Sequence, residues 1–254
     1  MTGASRGLGR SIALALANAG AELVVVARNE ADLEQTAEAI RESTGRPALV
    51  CCADVTSAVE VEDVRARTEN RFGAATVLVN AAAVFGPLAL FSQTDPDDWV
   101  RALIVNTAGP YLTCRAFVPA MLAAERGRIV NLSSAASLYP PGLVDSAYST
   151  SKTALNRLTR HLAAELEGTG VSAVVVHPGS VKTEMWADIR DKVAQLGPEG
   201  DAHRDWVARV EETGGDSSSG AGELVLGLVD PRSDGHNGEF CWLDVGLEKP
   251  VPSW

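Results

Sequence analysis

Residues 2–9 read TGASRGLG and run directly into an amphipathic stretch at 11–19. Glycines at a strand-to-helix turn let the backbone approach a pyrophosphate, because Gly3, Gly7 and Gly9 put no side chain in the way. The helix that follows offers unpaired N–H groups and the positive end of its dipole to the same anion. A glycine cluster alone also suits an ordinary tight turn. Here the helical pattern follows at once, and a strand candidate comes about twenty residues later, the spacing of a βαβ unit.

Outward from this turn, short β-branched runs alternate with longer helical patterns. Strands are expected at 23–27, 48–52, 77–80, 128–132, 171–177 and 239–243, most of them continuously apolar, as in a sheet covered on both faces. Helices are expected at 7–19, 30–42, 57–72, 96–124, 147–167 and 218–228. Two starts carry cap chemistry: Ser57 precedes Glu60 as a capping box, and Asp95 precedes Pro96 as an N-cap with proline in the first turn. The alternation predicts an α/β fold, a doubly wound parallel sheet of Rossmann-like type, in one domain over 1–254. Residues 182–222 break the rhythm. They are polar, with isolated large apolar residues (Met185, Trp186, Trp206), and are expected to form a mobile substrate-side flap rather than a core element.

Composition narrows the function. Lys and Arg number 22 against 33 Asp and Glu, a net charge of −11 over 254 residues. So acidic a chain repels phosphate backbones and anionic membranes, so neither nucleic acid nor membrane is an expected partner. The four cysteines (Cys51, Cys52, Cys114, Cys241) form no CxxC pair and the four histidines are scattered, so no metal site is expected. No run of about 18 apolar residues and no basic-then-apolar leader appears, which makes the cytoplasm the expected location.

Two local features point to chemistry. At the end of the strand 23–27, where a dinucleotide fold places an acidic residue on the adenosine ribose, this chain has Ala27 and then Arg28. A guanidinium in place of a carboxylate suits a 2′-phosphate, and Arg6 adds a second charge, so NADP(H) is favoured over NAD(H). Solvated surface arginines are the alternative reading of both positions. The second feature is Tyr148 and Lys152, four apart on one helical face. A nearby ammonium stabilises phenolate, which makes Tyr148 a candidate general acid/base. Ser134 ends the strand 128–132, at the carboxyl edge where such folds place active-site groups, although a turn cap would serve there too.

Taken in order, TGxxxGxG, Asp54-Val55, Asn80-Ala81-Ala82-Ala83, Asn106, Ser134, Tyr148, Lys152 and Pro178-Gly179 resemble the short-chain dehydrogenase/reductase family over almost the whole chain. The resemblance implies hydride transfer between NAD(P) and a small carbonyl or alcohol, and a homo-oligomer, dimer or tetramer. It implies that Tyr148 is the acid/base, that Lys152 holds the nicotinamide ribose and lowers the tyrosine pKa, and that Ser134 orients the carbonyl. It gives the main-chain carbonyl of Asn106 a relay water. Cofactor contacts are implied for Gly3, Ser5, Arg6, Gly7, Leu8 and Gly9 in the turn, and for Arg28, Asp54, Val55, Asn80, Ala81 and Ala82 on the adenosine side. They are also implied for Tyr148, Lys152, Pro178, Gly179, Val181 and Thr183 on the nicotinamide side.

Pro110 bears on Asn106 directly. Proline has no N–H for the carbonyl four residues earlier, so either the helix kinks there and bares that oxygen, or it ends near Ala108-Gly109 and restarts. Two features depart from the family pattern. Ala83 stands where the family's turn ends in glycine, and Met1 directly precedes the glycine turn, so the first central strand is expected to be missing. Two explanations are open: a natural start several residues upstream, or a gap filled by the tail at 250–254, which its two prolines make a poor central strand. The leading expectation is an NADP(H)-dependent oxidoreductase interconverting a carbonyl and a secondary alcohol. A non-catalytic NADP(H)-binding protein, an inactive product and a sugar-nucleotide epimerase are the alternatives. Tyr139, Pro140, Leu143, Val144, Met185 and Trp186 suit an apolar substrate, or simply packing, and leave the substrate open.

Overall fold

The computed structural model describes residues 1–230, 232, 236–243 and 246–252. Helix α1 (Gly7–Asn18) leads into β1 (Val24–Ala27), α2 (Glu30–Thr44), β2 (Leu49–Cys52), α3 (Ala58–Phe72) and β3 (Val77–Asn80). Next come α4 (Pro96–Leu103), a π-helical turn (Ile104–Ala108), α5 (Gly109–Ala123), β4 (Gly127–Leu132), α6 (Ser146–Glu165) and β5 (Val171–His177). The chain closes with α7 (Glu184–Val193), α8 (Asp201–Thr213), α9 (Ser218–Val229), β6 (Glu239–Trp242) and β7 (Gly246–Pro252).

The strands β3, β4, β5 and β6 are parallel and adjacent, and β7 adds an antiparallel edge. β1 and β2 form a separate parallel pair. Consecutive residues of β4 face opposite cores: Ile129 packs with Val64, Phe117 and Met121, whereas Val130 packs with Ile12, Leu16 and Val225. Both faces are covered by helices, which is why the strands read as unbroken apolar runs. Among the described residues no helix is long and apolar enough to cross a membrane, and no cluster of His, Cys, Asp or Glu is placed to hold a metal.

Between β1 and β3 the described residues contain no strand, and a cavity of about 530 Å³ lies there, lined by Val24, Val26, Leu78, Val79 and Phe117 among others. Thr2 bridges the two halves, pairing in parallel with Val26 on one side and Asn80 on the other. The tail does not fill the gap. Residues 246–252 pair with β6 at the far edge, where prolines are tolerated, and 253–254 lie outside the described residues.

The expected caps form. Asp95 accepts from the N–H groups of Asp97 and Asp98 at 2.9 and 3.0 Å, and Ser57 accepts from Glu60 N–H at 3.3 Å. The Glu60 carboxylate turns to Asp54 N–H instead of closing the box on Ser57. Near Pro110 the helix neither breaks nor restarts: backbone angles stay helical from Leu103 to Gly109, and a π turn absorbs the missing donor. Residues 182–222 carry more regular structure than the sequence suggests. They form α7, α8 and the start of α9, and Trp186, Ile189, Val193, Val207 and Val210 bury a small core of their own. The polar composition misleads because these helices pack their few apolar residues against each other and show the rest to solvent.

Candidate active site

The glycine turn is shaped by close backbone approaches. A Cβ on Gly9 would stand 1.9 Å from the carbonyl oxygen of Gly3, and one on Gly3, whose φ is +66°, would stand 2.6 Å from Ala82 N. No side chain caps the start of α1, where Arg6 is exposed in extended backbone at the N-cap. Thr36 ties the turn down by donating its hydroxyl to the Ala4 carbonyl at 3.0 Å and, more weakly, to that of Ser5. Leu8 is half-buried, with its side chain packed against the sheet core. Thr183 caps α7 and lies 3.5 Å from where a Gly7 Cβ would be, so α7 begins directly over the turn. A dinucleotide pyrophosphate fits here: backbone packing that excludes a Cβ at Gly3 and Gly9 holds the turn tight beside a helix start that no side chain caps.

Arg28 leaves the end of β1 with its side chain 56% exposed, 3.9 Å from the Asp54 carboxylate. It is available to a 2′-phosphate. Val55 is buried against Gly109. Asn80 turns inward: its amide donates to Asn131 Oδ1 at 2.9 Å and its carbonyl accepts from Thr113 at 2.8 Å, so only its main chain can reach a cofactor. Ala81 and Ala82 face the turn through their N–H groups, which donate to Thr2 Oγ1. Ala83 is not strained, since Glu125 is the non-glycine residue with positive φ among those described. On the other side Pro178 is buried and Gly179, at φ +85°, is crowded by Leu243 and Asp216. Asp216 holds this loop by accepting from Ser180 N–H at 2.6 Å, and Val181 follows half-buried.

Tyr148, Lys152 and Ser134 converge where β4 meets α6. Lys152 is 2% exposed, donates to the Leu132 carbonyl at 2.8 Å and lies 5.6 Å from the centre of the Tyr148 ring. Ser134 caps the short turn at 135–137 by accepting from Ala136 N–H at 3.2 Å, and its hydroxyl is near enough to the phenol to draw its pKa down. The turn cap that the sequence offers as the alternative reading of Ser134 is therefore formed. Burial pushes the Tyr148 phenol up to about 12, with the Ser134 hydroxyl pulling it down and the Asp145 carboxylate adding to the rise. Burial also pushes the Lys152 ammonium down to about 7. The sequence reading has the lysine lowering the tyrosine. Here low polarity opposes the charged form of each, so the phenol moves up rather than down.

Asn106 is wholly buried in the π turn. Its side-chain oxygen accepts from Val84 N–H at 2.9 Å, and its amide donates to the Val84 carbonyl at 2.8 Å and to Ser151 Oγ at 2.9 Å. The side chain thus clasps the loop after β3 onto α6, a role separate from that implied for its main chain. Three neighbours of Tyr148 carried no sequence signal. Phe85 stacks on the ring, with centroids 4.4 Å apart; the His203 ring stands perpendicular to that of Phe85; and Asp145 faces His203. Phe85 and His203 are far from Tyr148 along the chain, and no spacing rule joins them.

The family model for short chain dehydrogenase matches residues 1–194. An NADPH-dependent aldehyde reductase-like protein of Arabidopsis thaliana is 33% identical, over 93% of this chain and 92% of its own. The short chain dehydrogenase mpl6 of Monascus purpureus is 39% identical over 77% of this chain and 69% of its own length. The chain spans 60% of the length of a short chain dehydrogenase of Pseudocercospora fijiensis, 34% identical over 74% of this chain. Among solved structures, a variant of actinorhodin polyketide ketoreductase with NADPH superposes with a TM-score of 0.86 at 30% identity, covering 95% of this chain and 93% of that one. Fold, motif order and these likenesses agree, and the chain belongs to the short-chain dehydrogenase/reductase family of oxidoreductases.

Proposed function

We propose that the protein is an NADP(H)-dependent oxidoreductase interconverting a carbonyl and a secondary alcohol. The observation that carries this reading is the convergence of a protonated Tyr148 phenol, the Ser134 hydroxyl and a buried Lys152 at one sheet edge. The cofactor, when bound, supplies or receives the hydride. In reduction Ser134 holds the carbonyl oxygen, Tyr148 gives its proton to that oxygen as alcohol forms, and Lys152 stabilises the phenolate left behind. In oxidation the same groups run in reverse. Arg28, exposed at the end of β1, is the residue that would meet a 2′-phosphate. The polyketide ketoreductase and the aldehyde reductase-like relative, each named with NADPH, support the same cofactor.

The assembly belongs to this proposal too. Val100, Ile104, Tyr111 and Leu122 are 38 to 49% exposed along α4, the π turn and α5, an apolar face suited to a second copy of the chain. The free cysteines, with Cys52 exposed and unpaired, suit the reducing cytoplasm. The deciding experiment is loss of NADPH absorbance with a panel of ketones and aldehydes. Turnover of none of them, with NADPH still bound, would favour a binding protein instead.

A further inference from the structure

Tyr148 belongs to a circuit of contacts that its own helix begins and α8 completes. Phe85 lies flat on the phenol ring, at 4.4 Å between centroids and 20° between planes. The His203 ring, from α8, stands perpendicular to the Phe85 ring, at 6.3 Å between centroids and 88° between planes. His203 Nε2 faces Asp145 Oδ2 at 3.8 Å, with side chains 13% and 7% exposed. Asp145 is the N-cap residue of α6, one turn before Tyr148. Gly142 roofs the pair, since a Cβ there would stand 2.7 Å from Asp145 Oδ1 and 3.0 Å from His203 Cε1. The backbone before Phe85 is pinned as well, because Asn106 clasps both polar groups of Val84.

We propose that Phe85 is a positioning residue for Tyr148, held in that role by His203 and Asp145, so that the flap helix and the catalytic phenol are packed as one unit. A phenol can turn about its side-chain bonds, and a proton donor displaced by an ångström loses much of its rate. The Phe85 face bars that movement on one side of the ring. Phe85 is itself free to move only if α8 withdraws, because the His203 ring and the small flap core around Trp186 stand against it. Docking of the flap is thereby felt at Tyr148 with no contact between α8 and the reacting atoms.

This inference rests on Tyr148 as the proton donor, and two readouts keep the two apart. Phe85→Leu removes the flat ring at similar bulk, and Phe85→Tyr restores it. Phe85→Leu is expected to lower kcat by about tenfold or more with KM and NADPH affinity nearly unchanged, and Phe85→Tyr to recover most of the loss. With 3-fluorotyrosine in place of the three tyrosines, the 19F resonance lost in Tyr148→Phe identifies that ring. Phe85→Leu is expected to shift it and leave those of Tyr111 and Tyr139 in place. His203→Gln, on a partly exposed ring, is expected to move the same resonance in the same direction and also to lower kcat. An unmoved Tyr148 resonance in Phe85→Leu, or Phe85→Tyr as slow as Phe85→Leu, overturns the proposal. Should Phe85→Leu fail to fold, an unmoved resonance in His203→Gln overturns it. Turnover retained by Tyr148→Phe would defeat the acid/base reading instead, and the resonance would still report the stack.

Discussion

Lys152 Nζ donates to the main-chain carbonyl of Leu132 at 2.8 Å, which ties the catalytic helix to the end of the strand that delivers Ser134. The bond is buried, and burial holds the ammonium down to about 7. In the unfolded chain the same lysine titrates near 10.4. Between those values the unfolded state carries a proton that the native state lacks, so native stability rises with pH through that window and is lowest below it. The slope is at most about 1.4 kcal/mol per pH unit. Lys152→Met removes this linkage. Thermal melts of parent and variant should show the parent gaining on the variant from pH 7 to about 10. A difference that stays flat across that range would mean the ammonium keeps an ordinary pKa.

Tyr148→Phe deletes the proton while keeping the ring against Phe85. We expect kcat to fall by about 10²–10⁴, the range for loss of a general acid. NADPH affinity, by fluorescence titration, should change little. Lys152→Ala should damage both, because it empties a buried site beside the phenol. Undiminished turnover in the phenylalanine variant would remove Tyr148 from the chemistry.

Arg28 faces solvent and the Asp54 carboxylate, with no closer acidic partner among the described residues. Arg28→Asp places a carboxylate where a 2′-phosphate would come and suits a free ribose hydroxyl. The loss for NADPH should exceed that for NADH by about 1–3 kcal/mol, roughly fivefold to 150-fold in affinity. Equal losses for the two cofactors would show that Arg28 does not read the phosphate.

How far these sites were legible follows from what each depends on. The runs at 77–80 and 171–177 are exact in the structure because valine-rich stretches this short admit little besides a doubly covered strand. Tyr148 and Lys152 were legible because helical spacing alone puts them on one face. The inward turn of Asn80 was not, since it is decided by Asn131 and Thr113 on other elements. The flap misled because its helices bury Trp186 and Val207 against each other, away from the sheet that sets the pattern elsewhere. β7 was missed because prolines argue against a central strand but not against an antiparallel edge.

The exposed face of Val100, Ile104, Tyr111 and Leu122 should be covered in solution. Light scattering is expected to give a mass at least twice the 26.6 kDa of one chain. Tyr111→Arg, at the middle of that face, should lower it toward a single chain without changing the fold. A parent that is already a single-chain species would assign the face to another partner.

The slot between β1 and β3 gives the last prediction. Met1 and Thr2 already behave as the end of a central strand. Met1 N donates to the Val24 carbonyl at 2.7 Å, Val26 N–H to the Met1 carbonyl and Thr2 N–H to the Val79 carbonyl, both at 2.9 Å. Behind them both strand edges face the apolar cavity of about 530 Å³. The Met1 ammonium is buried at its mouth, where burial lowers it to about 6. A peptide N–H in its place would keep the bond to Val24 and shed the buried charge. About five β-branched residues fused ahead of Met1 would pair with both edges. Each aliphatic side chain seated there contributes about 1.5–3 kcal/mol, and each 1 kcal/mol raises Tm by about 2–4 °C at this size. We therefore expect a rise of roughly 5 °C or more. NADPH affinity should rise with it, because the strand end aims the glycine turn. A fusion of equal length rich in proline, which cannot donate to the ladder, should give neither gain. Equal melting temperatures for the two fusions would show that the slot does not accept a strand.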